Sequence, residues 1–349
     1  MTSVPRKALL RALAGEVLPR PAWWLMRQAG RYLPEYRELR SRVGDFLELC
    51  LTPPLAAEAT MQPVRRFGMD AAIIFSDILL VPYALGRSVV YREGEGPLLE
   101  PIESSAELHS LERQAVLQCL EPVFETVRRV ARALDPETAL IGFSGAPWTL
   151  AAYMVEGAAS RDFCRVKAWA YRDPAGFGAL IGIVTEAAIA FLSGQIEAGA
   201  EAVQIFDSWA GVLPADAFER WVIEPTAQIV AAVKRRHPQH PIIGYPRGGG
   251  VLYECYVEET GVDAIACDTA LPPRYARERL QQRLPVQGNL DPVMLLAGEE
   301  ALSEPVEQLW RILGKGPYIF NLGHGVLAQT PPEAVAALAR LLRNLAPAE

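Results

Sequence analysis

The run AVQIFDSWAG, residues 202–211, is apolar and rich in β-branched and aromatic residues until it stops on aspartate and serine. A run of this length fits a buried strand and falls short of a core helix. It is preceded by a segment, Thr185 to Ala198, with apolar residues at helical spacing, and followed by another from Phe218 to Arg236. The same unit recurs on both sides. Upstream lie AAIIFSD, ending at Asp77, and ALIGFSGAPW, ending at Trp148; downstream lie PIIGYPRGG to Gly249, DAIACDT to Thr269, PVQGNLDP to Pro292 and YIFNLGHG to Gly325. Helical segments Glu121 to Leu134 and Pro332 to Leu345 continue the alternation. Strands alternating with helices form a parallel sheet. With the short run before Arg27 counted first there are eight strands, the number that closes a barrel. The expected fold is therefore α/β, a single (β/α)8 TIM barrel over residues 1–349 with its active site at the C-terminal ends of the strands. An open doubly wound sheet uses the same alternation, but no GxGxxG follows an early strand, so a dinucleotide-binding fold has little to rest on.

The chain of 349 residues can bury a large core, and single barrels commonly run past ~250 residues. Its formal net charge of −7 argues against a nucleic-acid partner, which needs a basic surface, while leaving room for a local basic pocket. Cys50, Cys119, Cys164, Cys255 and Cys267 are odd in number, scattered and free of any CxxC pair. Neither a disulfide framework nor a zinc ribbon is indicated, and a reducing compartment is expected. Near the N-terminus Arg6, Lys7 and Arg11 are broken up among Leu and Ala, with no long apolar run after them. No uncharged stretch of ~18 residues occurs anywhere in the chain. These features predict a soluble cytoplasmic protein that engages neither membrane nor nucleic acid.

A barrel would bring the polar strand ends into one pocket. Arg27, Gln28 and Arg31 follow strand one, Asp77 strand two, Trp148 and Tyr153 strand three, Asp207 and Ser208 strand four, Arg247 strand five, Asp268 strand six, Asn289 and Asp291 strand seven, and His324 strand eight. The stretch WWLMRQAGRYLPEYR, residues 23–37, sets Arg27 and Arg31 among aromatic residues. Paired guanidiniums keep their charge and present planar forks of donors, which suits a ligand with several carboxylates. Gly30 would let the backbone approach such a ligand closely. The same two arginines could instead pair with Glu35 and Glu38 on a surface helix. His324 lies between Gly323 and Gly325, an arrangement that lets it project from a tight turn. His109, His237 and His240 have no such setting and read as surface residues. Gly248 to Gly250 lack the Lys-Ser/Thr of a phosphate-binding loop and read as the loop after strand five. Phe46 and Phe206 are candidates to cover a flat ligand.

The segments MRQAGRYLPEYR, FSDIL around Asp77, GAPWTLAAYMVEG around Tyr153, QIFDSWAG around Ser208 and NLGHG around His324 resemble the uroporphyrinogen decarboxylase family. The resembling motifs run from Pro21 to about Gln329. The resemblance implies a lyase without cofactor or metal, a homodimer in the cytoplasm, acting in porphyrin and heme biosynthesis. It implies conversion of the four acetate side chains of uroporphyrinogen III to methyl groups, giving coproporphyrinogen III and four CO₂. Arg247 stands where many relatives are expected to carry Lys.

The chemistry constrains the roles. Loss of CO₂ from a pyrrole acetate leaves electrons that need a sink, and a protonated pyrrole ring supplies one. The cationic ring calls for a fixed carboxylate near the pyrrole N–H groups. Asp77 is the candidate, although an aspartate after a strand also serves as a helix N-cap. Arg27 and Arg31 are read as catalytic residues that hold substrate carboxylates, with Gln28, Ala29 and Gly30 in the same substrate-binding loop. Tyr153 and Ser208 offer hydroxyls to acetate or propionate, and His324 binds a carboxylate as imidazolium or donates while neutral. The proton donor stays open, since arginine with a pKa above ~12 is a poor acid. Asp207 has a supporting role. Two other readings belong to other classes. One is a related barrel cobalamin/thiol methyltransferase, which needs zinc ligands at strand ends. The other is a tetrapyrrole carrier, which needs no central aspartate.

Overall fold

Each of the eight apolar runs becomes a barrel strand in the computed structural model, which describes residues 7–92 and 96–348. In chain order the strands are β1 (Ala22–Trp23), β2 (Ala71–Ile73), β3 (Val89–Arg92), β4 (Gly96–Leu99), β5 (Ala139–Gly145), β6 (Ala202–Asp207), β7 (Ile242–Pro246), β8 (Ala264–Ala266), β9 (Val286–Gln287) and β10 (Tyr318–Phe320). Of these, β3 and β4 form a separate antiparallel hairpin, and the other eight run β1-β10-β9-β8-β7-β6-β5-β2 around a TIM barrel. Every pairing around the barrel is parallel, with Ala22 opposite Ile319, Ile141 opposite Ala202 and Val203 opposite Ile242. All seven residues of β5 are buried, as expected for a strand covered on both faces.

The helices carry the sequence pattern that predicted them. In Val116–Ala133 the buried residues Leu120, Val123, Phe124, Val127 and Val130 repeat at three- and four-residue spacing, the stripe that lies against the barrel. Prolines open several helices, among them Pro147, Pro174 and Pro332. There the missing N–H has no acceptor to lose. The helix expected over Thr185–Ala198 begins earlier, at Pro174, because Gly176, Gly178 and Gly182 weaken the pattern without breaking the helix. This helix, Pro174–Ala198, is long and apolar enough to cross a membrane by length and composition, and 56 % of its most apolar stretch is buried. It packs against Val116–Ala133, Glu224–Arg236 and β5. Gly194 permits the closest approach, since a β-carbon there meets the Phe124 ring. The expected segment Phe218–Arg236 holds a wider five-residue turn, Glu219–Ile223, ahead of the regular helix Glu224–Arg236.

One main-chain bond and several side-chain bonds complete the barrel between β1 and β2. The Asp70 N–H donates to the Trp23 carbonyl (3.0 Å), and the Trp23 N–H donates to Asp70 Oδ2 (3.0 Å). Arg20 grips the same carboxylate in a two-pronged pair at 2.8 and 2.9 Å. Inside the barrel a buried polar chain runs from Trp24 Nε1 to Gln287 Oε1 and from Gln287 Nε2 to Gln204 Oε1, each at 3.0 Å. Of the basic residues noted near the N-terminus, Arg6 lies outside the described residues, Lys7 pairs with Glu201 and Arg11 with Glu16.

Candidate active site

Arg27 sits one turn beyond β1 and holds a left-handed backbone, φ 59°, which a non-glycine residue adopts at a cost of roughly 1–2 kcal/mol. The loop's conformational demand thus falls on Arg27 and not on Gly30, whose φ is ordinary and whose absent β-carbon would make ordinary contacts with the Arg27 carbonyl at 3.4 Å and the Tyr32 ring at 4.0 Å. Two bonds fix the turn. The Met26 N–H donates to Asn321 Oδ1 (3.0 Å), and the Val326 N–H donates to the Met26 carbonyl (2.9 Å), tying this loop to the one after β10. Ala29 is half-buried beside it.

Gln28 faces the other way. Fully buried, its Oε1 accepts from the Leu25 N–H (3.1 Å) and its Nε2 donates to the Ala71 carbonyl (3.3 Å). Its side chain therefore joins β1 to β2, and its main chain is engaged as well, the N–H donating to the Leu25 carbonyl (3.0 Å) and the carbonyl accepting from the Tyr32 hydroxyl (2.8 Å). The spacing of the motif could not reveal that orientation.

Asp77 follows β2, half-buried at the barrel mouth. Its Oδ1 accepts from the Leu79 N–H (2.8 Å), a local turn contact and not a helix cap, since the helix Leu80–Ala84 is capped at Leu79 without a side-chain bond. Burial pushes the carboxyl above the usual aspartate range, opposed by the Leu79 N–H, the nearby Tyr91 hydroxyl and the Arg27 charge. Tyr91, on β3, was not singled out from the sequence. Its hydroxyl is buried without a well-formed hydrogen bond, and its ring packs on Phe46 at 4.6 Å. Phe46 also meets Phe75 edge-on at 5.8 Å, so it covers the Asp77 side of the mouth. The signal available was VVYR and PLL flanking EGEG, a hairpin pattern.

Tyr153 lies on the helix Pro147–Glu156 directly after β5, half-buried and stacked on Trp209 at 4.0 Å between ring centres. Its phenol is pushed up to about 12 by burial and by the Asp77 charge, with Arg27 opposing. Ser208, next to Trp209, is half-buried and its hydroxyl makes no hydrogen bond among the described residues. Trp148 differs from the expectation of an aromatic pocket wall. It is fully buried against Phe177, with its Nε1 donating to the Trp209 carbonyl at 3.0 Å.

His324 stands in the loop after β10, and both neighbouring glycines are required by packing, not by turn geometry. Neither has a left-handed φ. A β-carbon on Gly323 strikes the Thr269 N–H, and one on Gly325 strikes the Arg27 side chain. The imidazole is pushed down to about 3 by burial and by the Arg247 and Arg27 guanidiniums, with Asp268 opposing. It is therefore neutral at ordinary pH, and its buried Nδ1 has no partner.

The Arg27 side chain lies against Gly325, next to His324, and its charge acts on Asp77, Tyr153 and His324 alike. Arg31 is exposed farther out, with its carbonyl accepting from Arg37 Nη1 at 3.0 Å. Phe206 is half-buried on β6, edge-on to Phe143 and Tyr245. Other strand-end polar residues are committed elsewhere. Asp207 is buried and accepts from the Thr149 hydroxyl (2.5 Å). Asp268 accepts from the Gly248 N–H, the Tyr253 hydroxyl and the Ala270 N–H. Asn289 and Asp291 line a separate cavity of about 420 Å³ against Ser303–Leu313. Among the described residues no three His, Cys, Asp or Glu side chains converge as a metal-ligand set.

Comparison with known proteins points the same way. A sequence model described as uroporphyrinogen decarboxylase matches residues 4–345. The chain is 53 % identical over 344 residues to a Rhodospirillum rubrum protein named uroporphyrinogen decarboxylase, covering 98 % of this chain and 99 % of that one. An Acidiphilium cryptum protein of the same name is 53 % identical over 343 residues, covering 98 % and 96 %. Among solved structures, a methyltransferase from Methanosarcina mazei superimposes with a TM-score of 0.76 at 19 % identity, covering 96 % of this chain and 97 % of that one. At that identity the likeness speaks for the fold alone.

Proposed function

The chain belongs to the uroporphyrinogen decarboxylase family, and from that premise we propose how its own residues decarboxylate uroporphyrinogen III to coproporphyrinogen III. The whole chain, 1–349, is read as one barrel domain working as a cytoplasmic homodimer without a cofactor. Each acetate reacts by the same steps. A proton adds to a pyrrole carbon, giving a cationic ring. The bond between the acetate CH₂ and its carboxylate breaks, CO₂ leaves, and the electron pair flows into the ring to form an exocyclic methylene. A proton then adds to that methylene carbon and the ring proton departs, leaving a methyl group. One proton is consumed and one CO₂ released per acetate.

Asp77 is the group that favours the cationic ring. One oxygen is anchored on Leu79, the Tyr91 hydroxyl lies near the carboxylate, and the group faces a mouth of low polarity beside Phe46. A fixed charge in such a setting acts strongly on a developing cation. Arg27 and Arg31 hold substrate carboxylates. Tyr153 and Ser208 offer free hydroxyls, and His324 takes part as a neutral imidazole. The observation that carries the reading is the approach of Asp77 and Arg27, neither of them in an ion pair among the described residues, at one barrel mouth of an acidic chain.

The methyltransferase reading has only a distant fold neighbour in its favour. A carrier would not need Asp77. Anaerobic incubation of the purified protein with uroporphyrinogen III, with chromatography of the oxidised porphyrins, tests all three. Seven- to four-carboxyl products from the wild type and roughly 100-fold less from Asp77→Asn support the decarboxylase. Equal turnover by the variant removes Asp77 from the mechanism, and no product from the wild type removes the reaction.

A further inference from the structure

The strand order places β1 and β7 four steps apart in either direction round the eight-stranded barrel, so they face each other across the mouth. Arg27 and Arg31 follow β1, and Arg247 follows β7. We propose that Arg247 is a third carboxylate-binding residue of the site, gripping the rim of the macrocycle opposite the one held by Arg27 and Arg31.

The backbone of Arg247 is pinned on both sides. Its N–H donates to the Asp207 carbonyl of β6 (3.0 Å), and its carbonyl accepts from the Gly211 N–H (2.9 Å). The next residue, Gly248, has φ +79° and donates to Asp268 Oδ2 (2.7 Å). Gly211 and Gly248 touch so closely that a β-carbon on Gly211 strikes the Gly248 backbone. Two loops are thus stitched together at the point where this exposed side chain leaves the barrel. The guanidinium itself has no acidic partner among the described residues. The one carboxylate close by, Asp268, is already occupied by Gly248, Tyr253 and Ala270.

An arginine whose main chain is pinned, whose exposed guanidinium has no ion pair among the described residues, and whose charge acts on His324 together with that of Arg27 is a poor arrangement for folding alone. Like charges repel, and among the described residues neither guanidinium has an ion pair: Asp77, beside Arg27, and Asp268, beside Arg247, are both held by other hydrogen bonds. A ligand with carboxylates all round its rim offsets both charges. Uroporphyrinogen carries an acetate and a propionate on each pyrrole, so whichever acetate reacts while Asp77 meets the pyrrole N–H groups, a carboxylate on the far side meets Arg247. Two cationic rims also explain how a nearly symmetric macrocycle keeps one orientation through each step. The identity of the ligand rests on the decarboxylase reading; the presence of an anion grip does not.

The test uses the full chain with Arg247→Gln and Arg247→Lys. Fluorescence titration with uroporphyrin, which needs no turnover, reads binding directly, and steady-state kinetics with uroporphyrinogen III read KM and kcat. Loss of one charge-assisted contact is expected to weaken porphyrin binding and raise KM by about 10- to 100-fold in Arg247→Gln, with kcat within about threefold. Arg247→Lys recovers most of the affinity, and the melting temperature of Arg247→Gln is equal to or above that of the wild type, because only repulsion is removed. Unchanged affinity and KM in the Gln variant overturn the proposal, as does a fall in melting temperature that accounts for the loss. A wild type that binds uroporphyrin through Arg247 but does not decarboxylate overturns the reading of function and leaves the grip in place.

Discussion

The side chain of Arg27 lies across the α-carbon of Gly325, with its Cβ, Cγ and Cδ filling the space a β-carbon would need. Loops from opposite ends of the barrel sequence therefore set one guanidinium. Gly325→Ala must displace it. Steady-state kinetics are expected to show kcat/KM lower by roughly 10- to 100-fold, with the melting temperature within a few degrees of wild type. Unaltered kinetics would mean that the position of Arg27 does not matter.

His324 is held neutral, pushed down to about 3 by burial and by Arg247 and Arg27. A group depressed below its unfolded value near 6.5 binds fewer protons in the fold, so its contribution to stability is lost as pH falls below about 6.5. Imidazole NMR of the folded protein should show no titration of His324 between pH 5 and 8. A midpoint near 6.5 would place the residue in solvent and restore the imidazolium alternative.

Asp207 runs in the other direction. Burial pushes its carboxyl up to about 7, opposed by the Thr149 hydroxyl, and Oδ2 lacks any partner. The fold keeps a proton that the unfolded chain loses near pH ~4, so this stabilising effect is present at low pH and declines as pH rises toward 7. Asp207→Asn is expected to match wild type in stability at pH 4 and to exceed it by roughly 1–3 kcal/mol at pH 8. A pH-independent difference in denaturant unfolding would show that the carboxyl is not titrating there.

Asp70 joins β1 to β2 through Trp23 and Arg20. Removing the carboxylate strands a main-chain N–H and a guanidinium that is 39 % exposed. Asp70→Ala should therefore cost roughly 1.5–3 kcal/mol in urea unfolding. If Arg20→Ala costs as much as Asp70→Ala, the Trp23 contact contributes nothing.

The barrel was legible because every strand is buried on both faces and ends on residues that a strand interior rejects. ALIGFSG and AVQIFD carry that signature in full. The hairpin of β3 and β4 was not read, since its burial alternates weakly and its role depends on what Tyr91 reaches in space. The placing of Arg27, Asp77, Tyr153 and His324 at strand ends on one side of the barrel was legible. Side-chain direction was not. Gln28 turns into the barrel wall, Trp148 into the core, and the glycines beside His324 answer to neighbours more than 50 positions away in the chain, Arg27 and Thr269. Local spacing holds no record of such contacts.

The junction of β1 with β2 separates the strand that leads to Arg27 from the strand that leads to Asp77. Elsewhere round the barrel, neighbouring strands pair residue by residue and resist shear collectively. Here the two are fastened by Asp70 below and by the Gln28 carboxamide above. The spacing of Arg27 from Asp77 therefore hangs on Asp70 and Gln28, with one main-chain bond and no strand ladder behind them.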